Sequence, residues 1–96
     1  MPLVARIGDL NTNHPPCNPG HAMTGSPSVF ANNIPVHRVG DVNTPHGYIL
    51  CIPHVTALST GSPNVYANNL KLGRIGDSYD CGILVDAGSP NVMANS

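Results

Sequence analysis

The chain has 96 residues, a mass of 10.0 kDa, a net charge of −1 and only 9% charged side chains, which limits it to one small domain spanning 1–96 and excludes a basic nucleic-acid binder. Ten glycines, ten prolines, a single lysine and the absence of glutamate argue against long helices, because Gly and Pro are the poorest helix residues. The expected class is all-β, with many turns and a thin aliphatic core.

The first segment, Met1 to Asp9, lacks the basic stretch and apolar run of an export signal. No later stretch reaches the roughly 18 apolar residues that span a bilayer. An unprocessed chain made in the cytoplasm is therefore expected. Residues 10–24 carry His14, Cys17 and His21. Next comes Gly25-Ser26-Pro27-Ser28-Val29-Phe30-Ala31-Asn32-Asn33, followed by the β-prone run Ile34 to Val39. Asn tolerates positive φ better than other non-glycine residues, so Asn32-Asn33 is predicted as the turn of a two-residue hairpin. Pro2 and Pro35 belong at strand edges or starts, since Pro cannot donate to a ladder. Residues 42–60 hold His46, Cys51 and His54, and Cys81 stands alone near the end.

The chain repeats itself. The Gly25 motif returns as Gly61-Ser62-Pro63-Asn64-Val65-Tyr66-Ala67-Asn68-Asn69 and as Gly88-Ser89-Pro90-Asn91-Val92-Met93-Ala94-Asn95. Arg6-Ile7-Gly8-Asp9 returns as Arg38-Val39-Gly40-Asp41 and Arg74-Ile75-Gly76-Asp77. The span from Gly25 to Asp41 equals that from Gly61 to Asp77, whereas the segments joining each Asp to the next Gly differ in length. Fixed arms with variable loops are thus expected. The last arm lacks a return strand, and Met1 to Asp9 lacks a leading one, so the termini should complete each other and close a pseudo-threefold ring without free sheet edges.

All three cysteines and every histidine except His37 fall in the variable segments. An odd number of thiols in a chain without an export signal makes a poor disulfide framework, and metal binding is the better reading. His14 and His46 stand at equal distances after Asp9 and Asp41, and His54 and Cys81 at equal distances before Gly61 and Gly88. These four draw on all three units and suit one tetrahedral zinc in a closed, structural site. His21 is an alternative to His14 or His54. Cys17 and Cys51 have no equivalents and read as small apolar residues.

Other functions find less support. Cys51 and His54 lack a nearby carboxylate to orient a nucleophilic dyad, and four protein ligands leave no open position for a metallohydrolase. No enzyme is expected. An integrin-type tract fails because a residue separates Arg from Gly. The three Arg and Asp pairs read as scaffold, with each Asp stabilising the turn into its loop.

The thrice-repeated Arg-(Ile/Val)-Gly-Asp joined to Gly-Ser-Pro-(Ser/Asn)-Val resembles the PAAR-repeat family, which caps the spike of type VI secretion systems and contractile phage tails. Leu3-Val4-Ala5-Arg6, Pro35-Val36-His37-Arg38 and Lys71-Leu72-Gly73-Arg74 replace the name-giving tetrad. The resemblance implies a small cone of β-hairpin repeats, with loops ordered by one zinc held by three His and one Cys. His14, His46, His54 and Cys81 match those places. It also implies a monomer that caps a trimeric β-helical spike, one chain per trimer, and stiffens the point that meets a target membrane. The chain would then reside at the tip of a tail spike in a virion or baseplate, or on a secretion apparatus, and leave the cell on contraction. Effector or cargo proteins are further partners, with no room in this chain for an effector domain. The alternative function is a small zinc-dependent adaptor module.

Overall fold

The computed structural model describes residues 2–12, 20–44, 56–80 and 82–94, together with the backbone of 46–48 and 51–54. The described residues contain strands, bridges and turns and no helix. Two arms are the predicted hairpins: β1 (Phe30–Ala31) pairs with β2 (Ile34–Pro35), and, after β3 (His46–Tyr48) and β4 (Cys51–His54), β5 (Tyr66–Ala67) pairs with β6 (Leu70–Lys71), all antiparallel. Asn32, Asn33, Asn68 and Asn69 have φ of 54°, 65°, 54° and 67°. Two successive positive values define the turn whose twist matches that of the flanking strands.

The third arm forms across the termini. Leu3 bridges Met93, in the register of Phe30 with Pro35 and of Tyr66 with Lys71. Val4 N–H donates to Val92 O and Ala94 N–H to Pro2 O. The arms then close on one another in a cycle, Arg6 with Val36, Arg38 with Leu72 and Arg74 with Val4. At the centre a triangle of backbone hydrogen bonds repeats the cycle: His37 N–H to Ala5 O, Gly73 N–H to His37 O and Ala5 N–H to Gly73 O, at 2.8–2.9 Å.

Beyond that triangle lies a second ring. Leu10 pairs with His21, Ala22 with Asn43, Val42 with Ala57, Leu58 with Tyr79, Ser78 with Leu84 and Val85 with Asn11. Each short segment thereby has a neighbour on both sides, and the circuit has no edge. Strands this short could not persist singly. Cyclic pairing gives every one of them two ladders.

Two apolar clusters fill the axis. Val4, Ala31, Val36, Ala67, Leu72 and Ala94 pack beneath the triangle on the hairpin side, and Ala5, Leu58, Tyr79, Ile83 and Val85 pack within the second ring. The principal extents are 38 × 23 × 22 Å, with the near-equal widths a threefold object requires. Gly25, Gly61 and Gly88 let the ring close, since a Cβ there would stand 2.5, 2.9 and 2.7 Å from the carbonyl oxygens of Val36, Leu72 and Val4. Contacts under 3 Å to backbone cannot be relieved by turning a side chain.

Candidate functional site

The Arg and Asp motif builds the corner between the two rings. In each unit the Asp N–H donates to the Arg carbonyl, closing a turn whose Gly has a φ of 92–94°. The Asp carboxylate then accepts the Arg backbone N–H at 2.8–2.9 Å and a fork of Nε and Nη2 at 2.8–3.1 Å. The same Nη2 of each guanidinium also donates to the carbonyl of Gly88, Gly25 or Gly61, the glycine that opens the same arm. These side chains are 7–15% exposed, so the forked pairs hold better than ordinary surface ion pairs. They are scaffold, as expected.

The serines of Gly-Ser-Pro have a similar duty. Ser26, Ser62 and Ser89 are buried, and each Oγ accepts the N–H groups two and three residues on. Ser26 and Ser89 also donate to Oδ1 of Asn68 and Asn32, which accept from Arg38 and Arg6 as well. This explains Asn rather than Gly at the first turn position: its side chain ties one arm to the next.

At the hairpin end, three equivalent positions present Phe30, Tyr66 and Met93, which are 55%, 53% and 51% exposed. Val29, Leu70 and Val92 add to this apolar surface.

The variable loops leave the opposite, second ring. Asn11 N–H to Gly20 O, Asn43 N–H to Thr56 O and Tyr79 N–H to Ile83 O close their three roots at 2.8–3.0 Å. His14 lies in the first loop, His46 and His54 in the second and Cys81 in the third. His14 and Cys81 lie outside the described residues. His46 and His54 stand directly opposite each other in the β3–β4 ladder. The strand into Gly61 follows this hairpin, with Thr56 O accepting from Asn43 N–H and Ala57 bridging Val42. Among the described residues no group of three or more His, Cys, Asp or Glu side chains converges, and there is no pocket.

His21 faces away from the axis. It is exposed and pairs with Leu10 on the wall of the ring, where its equivalents are Ala57 and Leu84. Cys17 lies outside the described residues, and Cys51 is opposite Tyr48.

Sequence reasoning passed over His37. It is fully buried: Nδ1 lies 2.7 Å from Thr24 O, and Nε2 lies 2.9 Å from the Tyr79 hydroxyl. A carbonyl only accepts, so Nδ1 carries the proton and Nε2 accepts from Tyr79. Burial pushes the imidazole pKa below its ordinary 6.5, against the opposing effects of the Thr24 hydrogen bond and Asp41. The sequence signal was the column Ala5, His37, Gly73, where one bulky residue is matched by two minimal ones around the axis.

No curated protein aligns significantly with the chain. The family model named PAAR motif matches residues 12–86, which cover two of the three arms and every variable loop. With the hairpin arms, the cyclic pairing and the three Arg and Asp corners in place, the chain belongs to the PAAR-motif family, a structural family of spike-tip proteins in secretion and contractile systems.

Proposed function

We propose that the protein caps a trimeric β-helical spike of a contractile injection apparatus and forms its piercing tip. The observation that carries this reading is the matched exposure of Phe30, Tyr66 and Met93 at three equivalent positions on the hairpin end. A threefold spike ends in three equal faces, and one chain with three equal apolar contacts meets all of them at once. Exposed backbone edges of the spike and apolar packing supply the affinity. Val29, Leu70 and Val92 extend the contact. Effectors or cargo would then ride on surfaces left free by docking.

One zinc stiffens the other end. His14, His46, His54 and Cys81 supply three imidazoles and a thiolate, a set that suits structural zinc. Three roots closing on one ring and the opposed register of His46 and His54 support this set. The metal would cross-link the three loops at the point where force meets a target membrane. The assembled tip then belongs to a virion or secretion apparatus.

The docking test uses Phe30→Asp, Tyr66→Asp and Met93→Asp in one chain, mixed with a trimeric spike protein that the wild type binds. These side chains are half exposed, so the fold should survive. The reading expects unchanged melting with loss of spike binding. Wild-type binding by the triple variant would contradict it.

A further inference from the structure

Asn11 is 3% exposed, and neither Oδ1 nor Nδ2 has a hydrogen-bond partner among the described residues. Burying an unpaired amide is costly, so such groups are rare in native proteins unless something else supplies the partner. The chain contains its own control. Asn43 holds the same place in the second unit, and its Oδ1 accepts the N–H of Thr56 at 2.9 Å and the Thr56 hydroxyl at 3.3 Å. In the first unit Gly20 stands where Thr56 would, and that hydroxyl is missing. In the third unit the residue is Tyr79, whose hydroxyl meets His37. Asn11 has neither solution.

Its direction follows from the ladder. Leu10 beside it is 54% exposed, and Val85 opposite it is 3% exposed, so alternation turns Asn11 to the inside of the ring. Its backbone N–H closes the root of the first loop on Gly20 O at 2.9 Å. The amide therefore stands inside the ring at the root of the loop that carries His14.

We propose that Asn11 is a positioning residue of the metal centre, its Oδ1 accepting the ring N–H that a zinc-bound histidine leaves free. This inference rests on the metal reading above. An imidazole that binds metal through one nitrogen keeps a proton on the other, and the acceptor of that proton fixes its tautomer and plane. A neutral amide does this without adding charge to the site. Asn11 is unpaired in the metal-free chain and paired in the loaded one.

The test compares wild type with Asn11→Leu and Asn11→Asp. Zinc affinity is measured by chelator competition, and the ring N–H resonances of the loaded proteins by NMR. Melting of the metal-free chains controls for folding. Asn11→Leu should melt no lower than wild type when metal-free, bind zinc about 10- to 100-fold more weakly and lose one protected downfield ring N–H. Asn11→Asp keeps an acceptor and should keep that resonance. Unchanged affinity with the resonance retained in Asn11→Leu would overturn the proposal and point to a buried water at the amide. A wild-type chain that takes up no zinc would overturn the metal reading itself, and the two failures are read from different proteins.

Discussion

The Tyr79 hydroxyl lies 2.9 Å from Nε2 of His37, so the root of the third loop is bonded to the axial triangle through a fully buried pair. The rings are shaped by His37, whose backbone N–H and C=O both belong to the triangle and whose neighbours there are Ala5 and Gly73. A Cβ on Gly73 would stand 2.7 Å from Leu58 Cδ2 and 2.9 Å from His37 O. Only one bulky group fits at this level.

Tyr79→Phe keeps the ring and removes the donor, leaving Nε2 buried without it. An unsatisfied buried acceptor costs about 1–3 kcal/mol. Urea unfolding of the variant should show a loss of that size with an unchanged slope. No loss would mean that the pair contributes nothing beyond packing.

The same imidazole gives the fold a pH dependence. Because burial lowers its pKa from 6.5, the unfolded chain takes up a proton before the folded chain does. The stability gained from a neutral His37 is complete above about 6.5 and is lost as pH falls below it. Asp41 acts in a lower window. Burial alone would raise its carboxyl, but hydrogen bonds from Arg38 and Thr24 hold it below 3.8, so its contribution is complete above that value and disappears under more acid conditions. Melting of the metal-free chain between pH 8 and pH 3 should therefore fall in two stages. His37→Gln should flatten the upper stage and leave the lower one.

The three Asp residues are not equal. Thr24 donates to Asp41 at 3.0 Å and Thr60 to Asp77 at 3.0 Å, while Ala87 takes the corresponding place beside Asp9. Each hydrogen bond to a charged group is worth about 1.5–3 kcal/mol. Asp41→Asn and Asp77→Asn should each destabilise more than Asp9→Asn in chemical unfolding. Equal losses would show that the threonines add nothing.

Zinc should dominate the melting temperature. At a free concentration near 1,000 times Kd, a ligand of the folded state adds about 4 kcal/mol, and in a domain of this size that amounts to about 15–30 °C. Chelation, or Cys81→Ser, should lower the melting temperature by such an amount. A chain that melts identically after verified metal removal would show that the loops are held by something else.

Much of this was legible in the sequence because repetition is a strong signal. The Asn-Asn turns, the fixed arms and the pairing of Leu3 with Met93 all follow from aligning the chain with itself. The loops resisted for the opposite reason. Among the described residues the β3–β4 hairpin occurs in one unit alone, so no second copy marks it in the sequence. His37 and Asn11 were hidden because their environments are made by the other two units. What His37 touches depends on Tyr79 and Thr24 across the axis, and what Asn11 lacks becomes visible only beside Asn43 and Thr56. The proposed ligands came from spacing, and two of them, His14 and Cys81, lie outside the described residues.

The most direct measurement of the central claim is the intact mass of the complex under native conditions. Purified chain is mixed with a trimeric β-helical spike protein from a contractile apparatus, with and without prior chelation. One chain carrying one zinc on three spike chains is the predicted mass. A complex of three chains on three spike chains, or a chain that remains alone with every such spike offered, would contradict the account.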